Sequence, residues 1–287
     1  MLQAIAPCKI NLYLKVIRLR NDGYHEIDTV FMPLQKPYDE IIWSLNPAFD
    51  RELKLTVNNA EDVADDDSNL VYQAAMAYAE KAKISPSWTI ELTKNIPVAA
   101  GLGGGSADAA AILLLLEEEF GFLSRDEIWL IAKELGADVP FFIESAPARA
   151  RGIGNVITPI KGVGVTPPIL LAAPEFPISS KWAYTHIPPE KICEVEDDYV
   201  KALIEALQDA DYDYVGKMLY NDLEFAILDK FPLTRIIKQR LLETGASGAI
   251  VSGSGPSLFG VYPNFEMRDK AASILVKEMP HVSFYKP

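Results

Sequence analysis

Near the N-terminus, apolar and polar side chains alternate loosely. Over Lys9–Ile17 (KINLYLKVI) and again over His25–Leu34 (HEIDTVFMPL) this alternation, with β-branched and aromatic residues, predicts two strands. Arg20-Asn21-Asp22-Gly23 supplies the turn chemistry between them, as in a hairpin or strand pair. Further strands are predicted at Asp39–Leu45, Glu52–Val57 and Trp88–Asn95. The period changes at Leu70, Val71, Ala74, Ala75, Tyr78, Ala79 and Ala82, whose spacing predicts a helix over Asn69–Lys83 capped by Asp67 or Ser68. The acidic run Glu61–Asp67 before it reads as a solvated loop. After the strand at 88–95, PVAAGLGGGSADAAAILLLLEEEF (Pro97–Phe120) is a glycine-rich loop opening directly into a helix. A capping box, Ser124-Arg-Asp-Glu127, starts the next helix, which ends near Gly136, and Pro140 suits the first turn of another.

From about Arg149 the chain becomes rich in Gly, Pro and short strands. Helices are predicted at Val195–Gln208, Tyr212–Met218 and Arg235–Thr244. A strand–glycine–strand segment (Gly248–Tyr262), a helix over Met267–Glu278 and a short strand (HVSFYK) complete the chain. Strands and helices mix without regular βαβα alternation, which argues for α+β layers. The change of character divides the chain into halves, 1–150 and 151–287.

Charge narrows the function. With 27 Lys and Arg against 40 Asp and Glu, the net charge is −13, and no basic stripe interrupts it. A duplex nucleic-acid binder or a binder of anionic membranes needs such a stripe, so neither is expected. A small anion stays possible if its pocket is locally positive. Cys8 and Cys193 are too few and too far apart for a disulfide framework, and His25, His186 and His281 show no zinc-ligand spacing. No secretory pattern opens the chain, and its longest apolar block, Ala109–Leu116, falls far short of the ~20 residues of a membrane span. The chain reads as cytoplasmic.

The glycine loop supplies the local positive site. Glycines let the backbone approach a ligand closely, and the following helix directs unpaired N–H groups and its positive dipole end at the same place. Phosphate is the natural occupant. The dinucleotide fingerprint GxGxxG fails, because Ser106 follows Gly101-Leu-Gly103 and Asp108 follows Gly103-Gly-Gly105 at the third position. GxxxxGK[ST] is absent from the chain.

With its flanks, PVAAGLGGGSADAAA resembles the ATP-binding loop of the GHMP kinase superfamily. Three more segments agree in family order: Pro7–Phe31, with Lys-Ile-Asn and Asp-Gly-Tyr-His; LGADVPFFI (Leu135–Ile143), an acidic catalytic segment; and VSGSGPSLFGVY (Val251–Tyr262), a C-terminal glycine motif. The resemblance implies a GHMP kinase fold of two α+β halves, with the active site in the cleft between them. It implies ATP and magnesium as cofactors. The triple glycine and the Asp-Gly-Tyr-His element are similar to those of the branch whose acceptor is a cytidine diphosphate-linked methylerythritol, phosphorylated on its 2-hydroxyl in isoprenoid precursor synthesis.

Site residues follow from the same resemblance. Lys9 and Asp138 match the family's catalytic pair, Asp138 accepting or orienting the hydroxyl proton and Lys9 stabilising developing negative charge. Pro97, Val98, Ala99, Ala100, Gly101, Leu102, Gly103, Gly104, Gly105, Ser106 and Ala107 match the nucleotide loop, with the triphosphate over Gly101–Ser106. Asn69 and Lys94 match positions near the adenine. Metal ligands stay open, since Ala107 stands where many relatives carry a second serine. Tyr24 and His25 match the cytosine-recognising pair, and Asn11 a substrate contact near Lys9. Ser180 and a second stacking partner, Tyr184, fall in Ile178–Tyr184. Two rivals remain: a GHMP kinase for homoserine or a sugar, against which Tyr24-His25 argues, and a non-catalytic ligand sensor, against which Lys9, Asp138 and the intact loop argue.

Overall fold

The computed structural model describes residues 1–46, 52–193 and 197–287. They form two compact units that interleave along the chain. The first comprises Met1–Cys8, Pro37–Val98 and Gly103–Ser145, and the second Lys9–Lys36, Ala99–Leu102 and Ala146–Pro287. A single division near 150 therefore captures only the last crossing between them. Strands β1 (Leu2–Leu19) and β2 (His25–Leu45) run through both.

β2 absorbs two expected strands. Pro37 sits between its residues paired to β5 (Ala148–Gly152) and those paired to β4 (Trp88–Thr93), where a missing N–H costs neither ladder a bond. In the first unit, β4 is antiparallel to Glu40–Leu45 of β2 and parallel to β3 (Leu53–Asn58). Trp88, Ile90 and Leu92 of β4 are buried while the residues between them are not, as a half-buried strand requires. Helix α1 (Leu70–Ala82) is capped by Asn69 rather than by the expected Asp67 or Ser68, because the Asn69 carboxamide accepts from the Val71 N–H.

Helix α2 (Gly104–Phe120) packs on α1, α3 (Arg125–Leu135) and α4 (Val139–Glu144). It has almost no polar face from Ala107 to Leu116 and is accordingly buried nearly all round. The Ser124–Glu127 capping box starts α3 as expected.

In the second unit one sheet has the order β6-β5-β2-β1-β8, with β6 at Val156–Pro159 and β8 at Tyr220–Asn221. A second, antiparallel sheet runs β11-β7-β10-β9, from β7 (Ile169–Pro174), β9 (Gly248–Val251), β10 (Leu258–Val261) and β11 (Val282–Tyr285). The unit's helices are α5 (Ser180–Thr185), α6 (Asp197–Gln208), α7 (Tyr212–Lys217), α8 (Glu224–Lys230), α9 (Pro232–Glu243) and α10 (Phe265–Glu278). The expected start of α6 at Val195 lies outside the described residues. Leu170 and Ala172 of β7, Val251, Leu258, Ile237, Leu241 and Leu275 build the core, joined by Leu14 and Val16 of β1. No helix among the described residues is long and apolar enough to cross a membrane.

Candidate active site

The glycine loop joins β4 to α2, and its residues divide by burial. Ala100, Leu102 and Ala107 are buried and anchor the loop through their side chains. Pro97, Gly101, Gly103, Gly104 and Ser106 are half-buried, while Val98, Ala99 and Gly105 are exposed. Gly103 caps α2 in the left-handed region at φ 73° and has no side chain to cap with. The first-turn N–H groups of Gly104, Gly105 and Ser106 therefore have neither a side-chain cap nor an intrahelical acceptor, and the helix dipole adds to their positive potential. Such unpaired donors are what the anion socket expected from the sequence would use.

Within the second unit, residues 99–102 of the loop rest on the C-terminal glycine motif. Gly101 adopts φ 76°, and a Cβ there would lie 2.1 Å from the Ser252 carbonyl oxygen. The Ser252 hydroxyl donates to the Gly101 carbonyl at 3.1 Å, and the Ser257 N–H to that of Ala100 at 3.3 Å. The Lys9 N–H donates to the Leu102 carbonyl at 2.9 Å, so β1 holds the loop from its other side.

Lys9, Asn11 and Tyr13 alternate onto one face of β1. The Lys9 side chain is buried rather than snorkelling: its Nζ donates to Asn11 Oδ1 at 2.9 Å and lies 4.9 Å from the Phe31 ring centre. Asn11 Nδ2 donates in turn to Thr29 Oγ1 at 2.8 Å, which donates to the Tyr13 carbonyl. A Cβ on Gly253 would meet Asn11 Oδ1 at 3.2 Å and Lys9 Nζ at 3.7 Å. The structure thus brings Lys9, Asn11, Gly101 and the C-terminal glycine motif together.

His25 opens β2, and its ring stacks on Tyr184 of α5 with centroids 5.3 Å apart at 26°. Partial burial lowers the His25 pKa, favouring the neutral imidazole with one donor and one acceptor nitrogen. Tyr24 is 61% exposed at the tip of a turn in which Asp22 accepts from its N–H and from Arg20. The Ser180 hydroxyl pairs with that of Ser254 at 2.8 Å, tying α5 to the glycine motif.

Asp138, in the first unit, occupies the N-cap position of α4 yet makes no side-chain capping bond to that helix. The ordinary structural role of such an aspartate is therefore not the one it plays. Val139–Ile143 are buried and fix the helix start, leaving the Asp138 carboxyl half-buried at its mouth.

Asn69 and Lys94, the two residues expected near adenine, each hold hydrogen bonds within the first unit. Asn69 is buried, accepting from Val71 N–H and donating to the Ala64 carbonyl at 2.6 Å. Lys94 is buried between Asp39 and Asp108, so it is not the exposed cation that a phosphate site in an acidic chain suggests.

Neither of those carboxylates stands out in the sequence. The signal for Asp39 lay in parity, since it shares a strand face with Ile41 and Trp43, which are buried. Asn221 is equally inconspicuous there, yet its Nδ2 donates to the carbonyls of Val251 at 2.9 Å and Gly253 at 2.8 Å, shaping the glycine motif.

The helix-opening glycine loop, the buried Lys9 network and the C-terminal glycine turn define a small-molecule kinase of the GHMP class. Residues 69–145 match the GHMP kinases N terminal domain and residues 203–281 the GHMP kinases C terminal domain. A homoserine kinase from Cytophaga hutchinsonii, 20% identical, superposes with a TM-score of 0.79 over 99% of this chain and 92% of its own, a likeness of fold. A solved 4-(cytidine 5'-diphospho)-2C-methyl-D-erythritol kinase is 30% identical, with a TM-score of 0.81 over 99% of this chain and 98% of its own. The 4-diphosphocytidyl-2-C-methyl-D-erythritol kinase of Nitratidesulfovibrio vulgaris is 38% identical over 267 residues, 92% of this chain and 91% of that one. The chain belongs to the 4-diphosphocytidyl-2-C-methyl-D-erythritol kinase family.

Proposed function

We propose that the protein transfers the γ-phosphoryl group of ATP to the 2-hydroxyl of 4-diphosphocytidyl-2-C-methyl-D-erythritol. The observation that carries the choice of acceptor is the stacked His25–Tyr184 pair. A flat face and a neutral imidazole edge suit a pyrimidine, and an acceptor such as homoserine has no ring to offer them.

The acceptor oxygen attacks the γ-phosphorus, the bond to the β,γ-bridging oxygen breaks, and ADP leaves. Such transfers depend on positioning and charge stabilisation more than on covalent help. Asp138 accepts or orients the 2-hydroxyl proton, and Lys9 stabilises charge developing on the transferring group. Asn11 fixes the Lys9 ammonium through its 2.9 Å bond and so limits the positions that charge can take. The N–H groups of Gly104–Ser106 receive the phosphates.

The nucleotide enters as its magnesium complex. Among the described residues no three His, Cys, Asp or Glu side chains gather as a metal-holding group. In kinases magnesium commonly keeps several waters and is held largely through the substrate phosphates. It supplies neutralisation of phosphate charge.

Phosphorus NMR of the reaction mixture tests the proposal. A new phosphomonoester coupled to the 2-position of the methylerythritol unit, formed in step with ADP, is the expected result. ATP hydrolysis without a phosphorylated acceptor contradicts it.

A further inference from the structure

The two stems of the glycine loop are joined by a buried charge cluster that the reaction above does not use. Lys94 begins the stem that leaves β4, and its Nζ donates to Asp108 Oδ2 at 2.5 Å and to Asp39 Oδ2. Asp39 Oδ1 accepts from the N–H groups of Asn95 at 2.5 Å and Ile96 at 2.7 Å, so this carboxylate holds the incoming stem by its backbone. Asp108 lies one helical turn beyond Gly104 and belongs to the outgoing stem. Gly104 closes the arrangement, since a Cβ there would lie 3.3 Å from Lys94 Nζ and 3.1 Å from Ile96 Cγ2.

Two carboxylates share one ammonium in a site from which water is excluded: Asp39 is 0%, Asp108 2% and Lys94 7% exposed. Burial and the neighbouring Asp39 charge push Asp108 up to about 8, although Lys94 opposes them. Asp108 Oδ1 has no hydrogen-bond partner among the described residues. Buried charge of this kind is a poor source of stability compared with well-packed apolar residues. What it supplies here is direction, because its remaining contacts go to loop backbone.

We propose that Asp39, Lys94 and Asp108 act as a positioning brace that sets the separation of the glycine-loop stems, and that its integrity is read in ATP affinity rather than acceptor affinity. The inference rests on the reading of that loop as the ATP site.

The test is steady-state kinetics on the full chain with four variants, each paired with a melting curve. Asp108→Asn keeps an oxygen for Lys94 and fills the Oδ1 position with an amide. It is expected to hold the KM for ATP within about threefold. Asp108→Leu and Lys94→Met are expected to raise the KM for ATP about tenfold or more while the acceptor KM moves less than about twofold. Lys94→Arg, which keeps the charge but replaces a point donor by a planar fork, is expected to raise the KM for ATP with a melting temperature close to wild type. It carries the test if the apolar variants do not fold.

Unchanged KM for ATP in Lys94→Arg and in whichever apolar variants fold overturns the brace. So does a parallel rise of both KM values, or an Asp108→Asn variant as impaired as Asp108→Leu. A wild-type protein that does not turn over ATP overturns the ATP reading itself and the brace with it. Normal wild-type turnover with unmoved variant KM values overturns the brace alone.

Discussion

Asp138 and His25 are the residues at which chemistry and structure can be separated. Asp138 stands at a helix start without capping it, and an asparagine there keeps the size and shape of the side chain while removing its charge. Asp138→Asn is predicted to melt within a few degrees of wild type and to bind ATP normally, while kcat falls about 10²- to 10⁴-fold. Calorimetry and single-turnover kinetics check the two halves, and full activity removes Asp138 from the proton-handling role. For His25 the sign is fixed by burial, which moves its pKa below the ordinary 6.5. A histidine shifted this way contributes stability that is fully present above the unfolded value and is lost as pH falls through the folded one. Acceptor KM is accordingly predicted to stay level from pH 8 to about 6.5 and to rise below that range. A His25→Gln variant, which cannot titrate, should lack the rise. A rise that persists in the variant assigns it to another group.

At the scale of elements, the glycine loop was legible in the sequence because its requirement is local. Glycine takes the left-handed backbone of positions 101 and 103 without the steric cost a side chain brings. The structure adds why Gly101 is demanded twice over: its φ is 76° and the Ser252 carbonyl fills the space a side chain needs. Gly101→Ala is predicted to destabilise the protein by about 2–4 kcal/mol and to remove activity at temperatures where the chain is still folded. A denaturant melt reads the first effect, and a loss below about 1 kcal/mol contradicts the packing described.

Helices α2 and α3 were legible for the same reason, since glycine and the capping box mark their starts in consecutive residues. The β5–β6 pair, α5 and α8 were not delimited from the sequence. They are short, and their hydrophobic periods span too few residues to declare a type. Partners distant in sequence were equally hidden: Asp39 reaches Lys94 across 55 residues, and Asn221 reaches Val251 across 30.

For the molecule as a whole, the puzzle posed by a charge of −13 is how an acidic chain takes two phosphate-bearing substrates. No basic surface is needed. In the proposed reaction the N–H dipoles at Gly104–Ser106 receive phosphate and the buried Lys9 ammonium stabilises developing charge, while Lys94 is paired inside the protein with Asp39 and Asp108. Charge composition argues against polyanion binding but could not reveal such a site, because backbone donors carry no formal charge. The division of the chain was visible only in outline. Strands β1 and β2 each run through both compact units, and residues 99–102 join the second unit while their flanks join the first.

The claim that a cytidine-bearing acceptor is phosphorylated is tested most directly by ADP release measured with equal concentrations of 4-diphosphocytidyl-2-C-methyl-D-erythritol, its uncytidylated methylerythritol phosphate, and homoserine. ADP release with the first, and a kcat/KM at least about 10³-fold lower with the other two, is the predicted result. Comparable turnover of homoserine or of the uncytidylated alcohol would contradict it.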